Sequence, residues 1–246
     1  MATSLKHSRK RPWHFERPRS ALPRRRRVYN VDDGEPVVLR LVEFEITDEP
    51  IDDPWLDRTP QRDRERILHA GARVIDGATD QVEVLEGLVE EFPGIPKVYN
   101  YLACAYRNAG LTKKMEALVE RTYRRFPDYL FAVTNYVQLL LRRYRIDEAS
   151  GVLAGRYSLD LWIPDRRRYH VSEFVAFNSM MVWYFAELGE EEIALRYYQM
   201  LREAAPDHPA TLVAEACFSA GTIRRVLRWL NRKAHDSASG QSQRRR

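Results

Sequence analysis

The chain has 246 residues, 44% of them hydrophobic, which is enough to bury a core of its own. Two cysteines exclude a disulfide framework and a cysteine metal cluster, and no apolar run approaches the ~20 residues of a membrane span. The charge is uneven: residues 1–30 carry ten basic residues against one acid, 31–60 carry ten acids against two arginines, and 222–246 carry eight basic residues against one acid. Such tails indicate an acidic partner, a nucleic acid or an acidic membrane surface.

The first 60 residues predict an extended, partly disordered arm. Residues 1–30 combine Pro, Arg and Ser with few apolar anchors, and so cannot offset the entropy of ordering. Residues 36–46 are β-branched and partly alternating, which predicts one strand or an extended segment lying on another part of the molecule. Residues 47–60 are acidic and interrupted by prolines, which is typical of a linker, and Trp55 is expected to insert into the first helical unit.

From residue 61 onward the apolar period becomes helical. Thr79 or Asp80, Asp147 and Ser172 are predicted to cap helices. An insertion is predicted at 158–170 and a disordered basic tail at 235–246. Helix pairs are predicted over 61–93, 96–127, 130–156, 172–206 and 207–234.

A motif of small and aromatic residues recurs within these units. It is carried by Tyr99, Leu102, Ala103, Tyr106 and Gly110, and it returns at Asn178, Met181, Val182, Phe185 and Gly189. Pro93 and Pro127, which close two successive units, are 34 residues apart.

These motifs resemble the tetratricopeptide repeat family over about residues 60–234. The resemblance implies an all-α fold, a right-handed α-solenoid of helix pairs that carries the N-terminal arm. It also implies that the first helix of each pair lines a concave groove that holds a peptide. The groove residues implied are Lys97, Asn100, Arg107, Asn108, Thr134, Gln138, Arg142, Ser179 and Trp183.

One ligand mode of that family is not expected here. The chaperone-type clamp on a C-terminal carboxylate needs lysines, asparagines and an arginine at set groove positions. Asn135 matches one of these positions. The others are occupied by residues that do not match, namely Asn100, Cys104, Ala176 and Met180.

No catalytic constellation stands out in the sequence, so we expect a non-enzyme without cofactor or metal. There is no Gly-rich phosphate loop and no G-x-S-x-G or H-E-x-x-H motif. His170 and Glu173 form an isolated H-x-x-E pair. A metal would need at least a third ligand, so the favoured interpretation of His170 is local packing or capping at a helix start.

Two arginine runs are candidate anion sites. Arg166, Arg167 and Arg168 in the insertion either hold phosphate or an acidic partner, or pair within the chain with Asp160, Asp165 and Glu173. The run formed by Arg24, Arg25, Arg26 and Arg27 either contacts nucleic acid or folds against the acidic 31–60 segment.

The sequence therefore predicts a non-catalytic scaffold that binds a protein or peptide through its groove. The alternative is an RNA- or nucleoprotein-associated protein anchored by its Arg-rich termini. The expected location is the cytoplasm, or the nucleus if the source is eukaryotic.

Overall fold

The computed structural model describes residues 44–216 in full, and of the preceding segment only the backbone of two short strands. Four predictions lie outside the described residues: the disorder of 1–30 apart from the backbone of 28–30, the Arg24–Arg27 run, the final helix of the 207–234 pair, and the 235–246 tail. Within the described part the chain is mostly helical, as the sequence predicts. None of the helices described is long and apolar enough to cross a membrane.

Nine helices and a tenth that reaches the last described residue follow one another with short connections. They are α1 (Gln61–Ile75), α2 (Val82–Glu91), α3 (Pro96–Asn108), α4 (Thr112–Arg125), α5 (Leu130–Arg142), α6 (Ile146–Leu153), α7 (Leu159–Trp162), α8 (Val171–Leu188), α9 (Glu191–Ala204) and α10 (209–216). We call α1, α3, α5 and α8 the first helices, and α2, α4, α6 and α9 the second helices.

Four short strands form two separate two-stranded sheets. Strand β1 (Val28–Asn30) is antiparallel to β2 (Pro36–Val38). Strand β3 (Glu45–Thr47) is parallel to β4 (Arg168–His170), with Ile46 opposite Tyr169. Of the two alternatives for residues 36–46, a single strand is wrong, because β2 and β3 belong to different sheets. An extended segment lying on another part of the molecule describes Glu45 and Ile46, which pair with Arg168 and Tyr169.

The helices pack mainly on their neighbours along the chain. Each first helix contacts the next first helix, and α3, α5 and α8 also contact the second helix that precedes them. Gly71 of α1 lies under the ring of Tyr101 of α3, whose nearest atoms are 2.3 Å from where a Cβ would be. A Cβ at this position would therefore require the Tyr101 ring to move.

Two apolar clusters form the core. One is built by α1 to α4 and includes Ile67, Leu85 and Leu102, and the other is built by α5 to α9 with β3 and β4. Helix α5 joins them, because Leu139 belongs to the first cluster and Leu140 to the second. Burying side chains of this size stabilises the fold by about 1.5–3 kcal/mol each.

The helix ends lie where the prolines and glycines predict them, but the polar residues predicted as N-caps are not the N-caps. Pro96 occupies the first turn of α3, and Gly110 has a φ of +71° just beyond its end. The predicted caps Asp80 and Asp147 are not used, since α2 begins after Gln81 and α6 after Arg145. Helix α8 begins after His170, so Ser172 is not its cap.

Candidate binding face

The first helices share an uncovered side, which we call the open face. Each of these helices buries one side against its neighbours, and on the uncovered side a stripe of residues spaced three, four or seven apart remains accessible. The open face is defined by Leu68 and Ile75 of α1, Cys104 and Arg107 of α3, Gln138 and Arg142 of α5, and Ser179 and Trp183 of α8.

Contacts between neighbouring first helices hold these stripes side by side. The Nδ2 of Asn108 donates to the carbonyl of Val74, at 2.8 Å, and so ties α3 to α1. The Nδ2 of Asn135 donates to the Oδ1 of Asn100, at 2.9 Å, and so ties α5 to α3. The two contacts differ, but the paired residues are 34 and 35 positions apart, so neighbouring first helices are offset by nearly the same number of residues.

The α1 stripe is apolar and exposed. Leu68 is 41% exposed and Ile75 is 69% exposed, although both are large apolar residues. They are seven residues apart, two turns of helix, and Ala72 lies between them on the same side. The side of α1 that packs instead presents Ile67, Gly71 and Val74.

The α3 and α5 stripes carry two neighbouring cations. Arg107 and Arg142 lie in the last turns of their helices and are exposed. Desolvation lowers the pKa of the Arg142 guanidinium most, the carboxylate of Glu116 opposes this, and the positive charges of Arg107 and Arg143 lower the pKa further. Among the residues that the structure describes, no carboxylate forms an ion pair with either Arg107 or Arg142.

Beside these cations, Cys104 is half-buried. Burial raises the pKa of its thiol, although Arg107 opposes this rise by its charge and a hydrogen bond. The protonated thiol is therefore favoured, and Cys104 acts as a small apolar residue of the face.

The α8 stripe is neutral. Trp183 is half-buried, and its indole Nε1 donates to Oε1 of Glu187 at 3.3 Å. The hydroxyl of Ser179 donates to the carbonyl of Val175 within the same helix, at 2.6 Å. The Trp183 ring thus offers apolar surface, while its polar atom is held by its own helix.

Four of the nine groove residues predicted from the sequence serve contacts within the protein. Lys97, Asn100 and Asn108 are each bonded to other parts of the chain. Thr134 is 1% exposed and donates to the carbonyl of Phe131, so it does not reach the open face. The other five are members of the open face: Arg107, Gln138, Arg142, Ser179 and Trp183.

Residues 44–60, which we call the strap, run along one side of the open face. Phe44 packs against the Tyr169 ring, with centroids 5.4 Å apart, near the start of α8. Farther along, Trp55 packs edge-on against Tyr129, the residue preceding α5, with centroids 5.6 Å apart. The strap therefore passes the beginnings of α8 and α5, and Trp55 does not insert into the first helical unit as predicted.

The strap ends at α3 and the first core. The carboxylate of Asp53 lies 2.7 Å from Nζ of Lys97, in the first turn of α3, and is only 13% exposed. Its other oxygen accepts from the backbone N–H groups of Trp55 and Leu56, each at 3.2 Å. Leu56 is 3% exposed and belongs to the first apolar cluster. An acidic and apolar segment is thus held at the beginnings of the first helices.

A buried hydroxyl lies under the strap. Tyr129 is 8% exposed, and in the described part of the chain its hydroxyl has no hydrogen-bond partner. Burial raises its pKa well above the ordinary value, and the nearby carboxylate of Asp53 adds to the rise. The raised pKa favours the protonated hydroxyl.

The insertion arginines mostly pair within the protein. Arg166 forms an ion pair with Glu173 and lies over the Tyr169 ring, 4.8 Å from its centroid. Arg168 pairs with Glu49 at 2.7 Å and with Glu45 at 3.2 Å. The intramolecular alternative is therefore correct for these two arginines, although the strap supplies two of the partners in place of Asp160 and Asp165.

The remaining insertion arginine, Arg167, is exposed and pairs with no carboxylate of the described segments. Strand pairing explains why Arg168 has carboxylate partners and Arg167 has none among the described residues. Because β3 lies beside β4, the acidic side chains that flank β3 reach Arg168.

His170 completes the start of α8. Its Nδ1 accepts from the backbone N–H of Ser172 at 3.2 Å, while the Glu173 carboxylate accepts from the His170 N–H at 3.0 Å. This capping box confirms the local interpretation of the H-x-x-E pair. Over residues 44–216, no group of three or more His, Cys, Asp or Glu side chains has the arrangement of a metal site.

Comparison with known proteins adds no relative from which a function could be transferred. No protein-family model matches the chain, and neither a curated protein nor a solved structure matches it.

Proposed function

We propose that this protein is a non-catalytic scaffold, an α-solenoid of the tetratricopeptide-repeat type, which binds a peptide segment of a partner protein on its open face. One observation carries the proposal: the first helices already hold a segment that lies outside the helices, the strap, by an ion pair and by aromatic and apolar contacts. Side chains of the same kinds remain uncovered on the rest of that side.

The packing order of the helices supports the solenoid. Each first helix contacts the next one, and the interhelical bonds made by Asn108 and Asn135 span 34 and 35 residues. A repeating contact of this kind is what stacked helix pairs of one period produce. We further propose a reducing compartment such as the cytoplasm, which suits the half-buried thiol of Cys104.

Panning a phage-displayed library of random peptides on the immobilised full-length chain tests this function. The face variant is Leu68→Ser with Ile75→Ser, and both positions are exposed, so the fold should tolerate it. The matched control is Val84→Ser with Leu195→Ser. These side chains are 50% and 44% exposed on second helices.

We expect peptides to be enriched on the wild type and on the control, and the same peptides to bind the face variant at least about tenfold more weakly. Two results would overturn the proposal. One is no enrichment on the wild type, and the other is equal binding to the face variant.

The second candidate is an RNA- or nucleoprotein-associated protein, favoured by the ten basic residues against one acid in residues 1–30. The insertion adds little to it, because Arg166 and Arg168 are neutralised by Glu173, Glu45 and Glu49. A filter-binding titration of single-stranded RNA at several salt concentrations tests it. Steep salt dependence that disappears on removal of residues 1–30 would support it, and no binding at low salt would contradict it.

A further inference from the structure

We propose that the open face is built for an acidic peptide segment with bulky apolar side chains. Its carboxylates would lie on Arg107 and Arg142, and its apolar side chains on Leu68 and Ile75. The inference rests on the proposed function and adds the chemical class of the ligand to it.

Arg107 and Arg142, the cationic part of this surface, form no ion pair with a carboxylate of the described residues. Neither α3 nor α5 contains a single acidic residue, and residues 96–127 carry seven basic residues against two acids. Arg107 hydrogen-bonds the Cys104 side chain, and Nε of Arg142 donates to the Gln138 carbonyl at 3.4 Å. These hydrogen bonds go to neutral groups, and Glu116 acts on Arg142 from a distance without forming an ion pair with it, so a carboxylate bound here would meet two guanidinium groups at once.

The neighbouring arginine shows what these two lack. Arg143 donates to Glu116 and to Glu120, each at 2.6 Å. Half of the arginines that the structure describes form an ion pair with a carboxylate, including Arg66 with Glu91. The helix dipole favours a cation in the last turn, which accounts for the positions of Arg107 and Arg142 but does not neutralise them.

The apolar part of the surface adjoins these cations. Leu68 and Ile75 lie on α1, next to α3, and neither belongs to the apolar clusters of the core. Neighbouring helices lie about 8–10 Å apart, so α1 to α5 spans about 20 Å. About six extended residues cover that distance, and one short segment can therefore reach both parts.

The strap supplies an internal example of this chemistry. Residues 44–57 contain six acids and no basic residue, together with the apolar residues Phe44, Ile46, Ile51, Trp55 and Leu56. At α3 an acid of this segment binds a lysine while the following residues pack on apolar groups. The uncovered ends of α3 and α5 offer arginines beside apolar side chains, so they suit a ligand of the same composition.

The test is a fluorescence-anisotropy titration of a labelled peptide made of leucine, phenylalanine and glutamate, blocked at both termini. The reference probe is the same peptide with every glutamate replaced by glutamine. The protein variants are Arg107→Gln with Arg142→Gln, and a charge-matched control, Arg62→Gln with Arg125→Gln. Both control arginines are exposed, and neither belongs to the open face.

We expect the wild type and the control to bind the acidic peptide with similar affinity, and the Arg107/Arg142 variant to bind it at least about tenfold more weakly. Blocking the C-terminus should not matter, since side-chain carboxylates are the groups recognised. Circular dichroism of each variant establishes that the fold is retained.

Other outcomes separate this inference from the proposed function. Equal loss in the control would show a general charge effect and overturn the inference. Equal binding of the glutamine peptide, lost with Leu68→Ser and Ile75→Ser, would overturn the acidic class and leave the peptide-binding function standing. If neither peptide binds and random peptides are not enriched on the open face, the function itself fails.

Discussion

The two ends of the first helices differ in how their charges are compensated. At the beginning of α3, Lys97 is paired with Asp53 of the strap, and Trp55 and Leu56 are packed beside it. At the ends of α3 and α5, Arg107 and Arg142 have no carboxylate partner among the described residues. The comparison suggests that one end is completed by the chain itself and that the other is completed by a partner.

The largest effect should come from the strap's apolar anchor. Leu56→Ala removes a side chain that is 3% exposed in the first core, so the free energy of unfolding should fall by about 2–4 kcal/mol. Trp55→Ala removes a ring that is 41% exposed and should cost clearly less. Urea denaturation measures both, and an equal cost for the two would show that the strap does not anchor through Leu56.

Asp53→Ala should have the next largest effect. The carboxylate accepts from Lys97 and from two backbone N–H groups, and losing such bonds costs about 1–2 kcal/mol. Asp57→Ala, which removes a more exposed acid of the same turn, is the matched control. Hydrogen exchange should accelerate in the strap for the Asp53 variant more than for the control. Unchanged exchange would mean that the ion pair does not hold the strap.

Two adjacent arginines sharpen the comparison at the other end. Arg143→Gln loses two carboxylate partners at 2.6 Å and should cost about 0.5–1 kcal/mol. Arg142→Gln removes a cation that interacts with two like charges and one carboxylate, Glu116, and forms an ion pair with none of them, so it should change stability by less than ~0.5 kcal/mol. Thermal unfolding of the two variants measures the difference, and a larger loss for Arg142 would reveal a partner within the protein.

The smallest effect is on the pH dependence of stability. The pKa of Glu86 is lowered from 4.5, first by a hydrogen bond from Tyr106 and then by Lys114. Since the folded state has the lower pKa, the stabilisation is present above 4.5 and disappears as the pH falls through the lowered value. Glu86→Gln should therefore lose less stability than the wild type during acid titration, and parallel curves would contradict this.

Local signals predicted the helices well. Pro96 and Gly110 mark the ends of α3 because a missing N–H and a positive φ act within the backbone itself. The helical period did not show which side of α1 packs against its neighbours. Leu68 and Ile75 are exposed because α1 lies at the beginning of the helical array and buries one narrow side. Period alone does not reveal how many neighbours a helix has.

Long-range contacts were out of reach of the sequence. The parallel pairing of Glu45–Thr47 with Arg168–His170 joins segments more than 100 residues apart, and three-residue strands carry too little pattern to identify each other. The interhelical bonds of Asn100 and Asn108 depend on the same kind of contact. The sequence does contain a signal for one of these contacts. Residues 44–57 are acidic and residues 96–127 are basic, and opposite charges favour the association of the two segments.

The most direct test is a double-mutant cycle in which the arginines of the protein and the glutamates of the peptide are replaced separately and together. The affinity ratio of the acidic peptide to its glutamine counterpart is measured for the wild type and for the Arg107→Gln, Arg142→Gln variant. We predict a large ratio for the wild type and a ratio near one for the variant, because the carboxylates then lose their partners. The same ratio in both proteins would contradict an arginine-based acidic site on the open face.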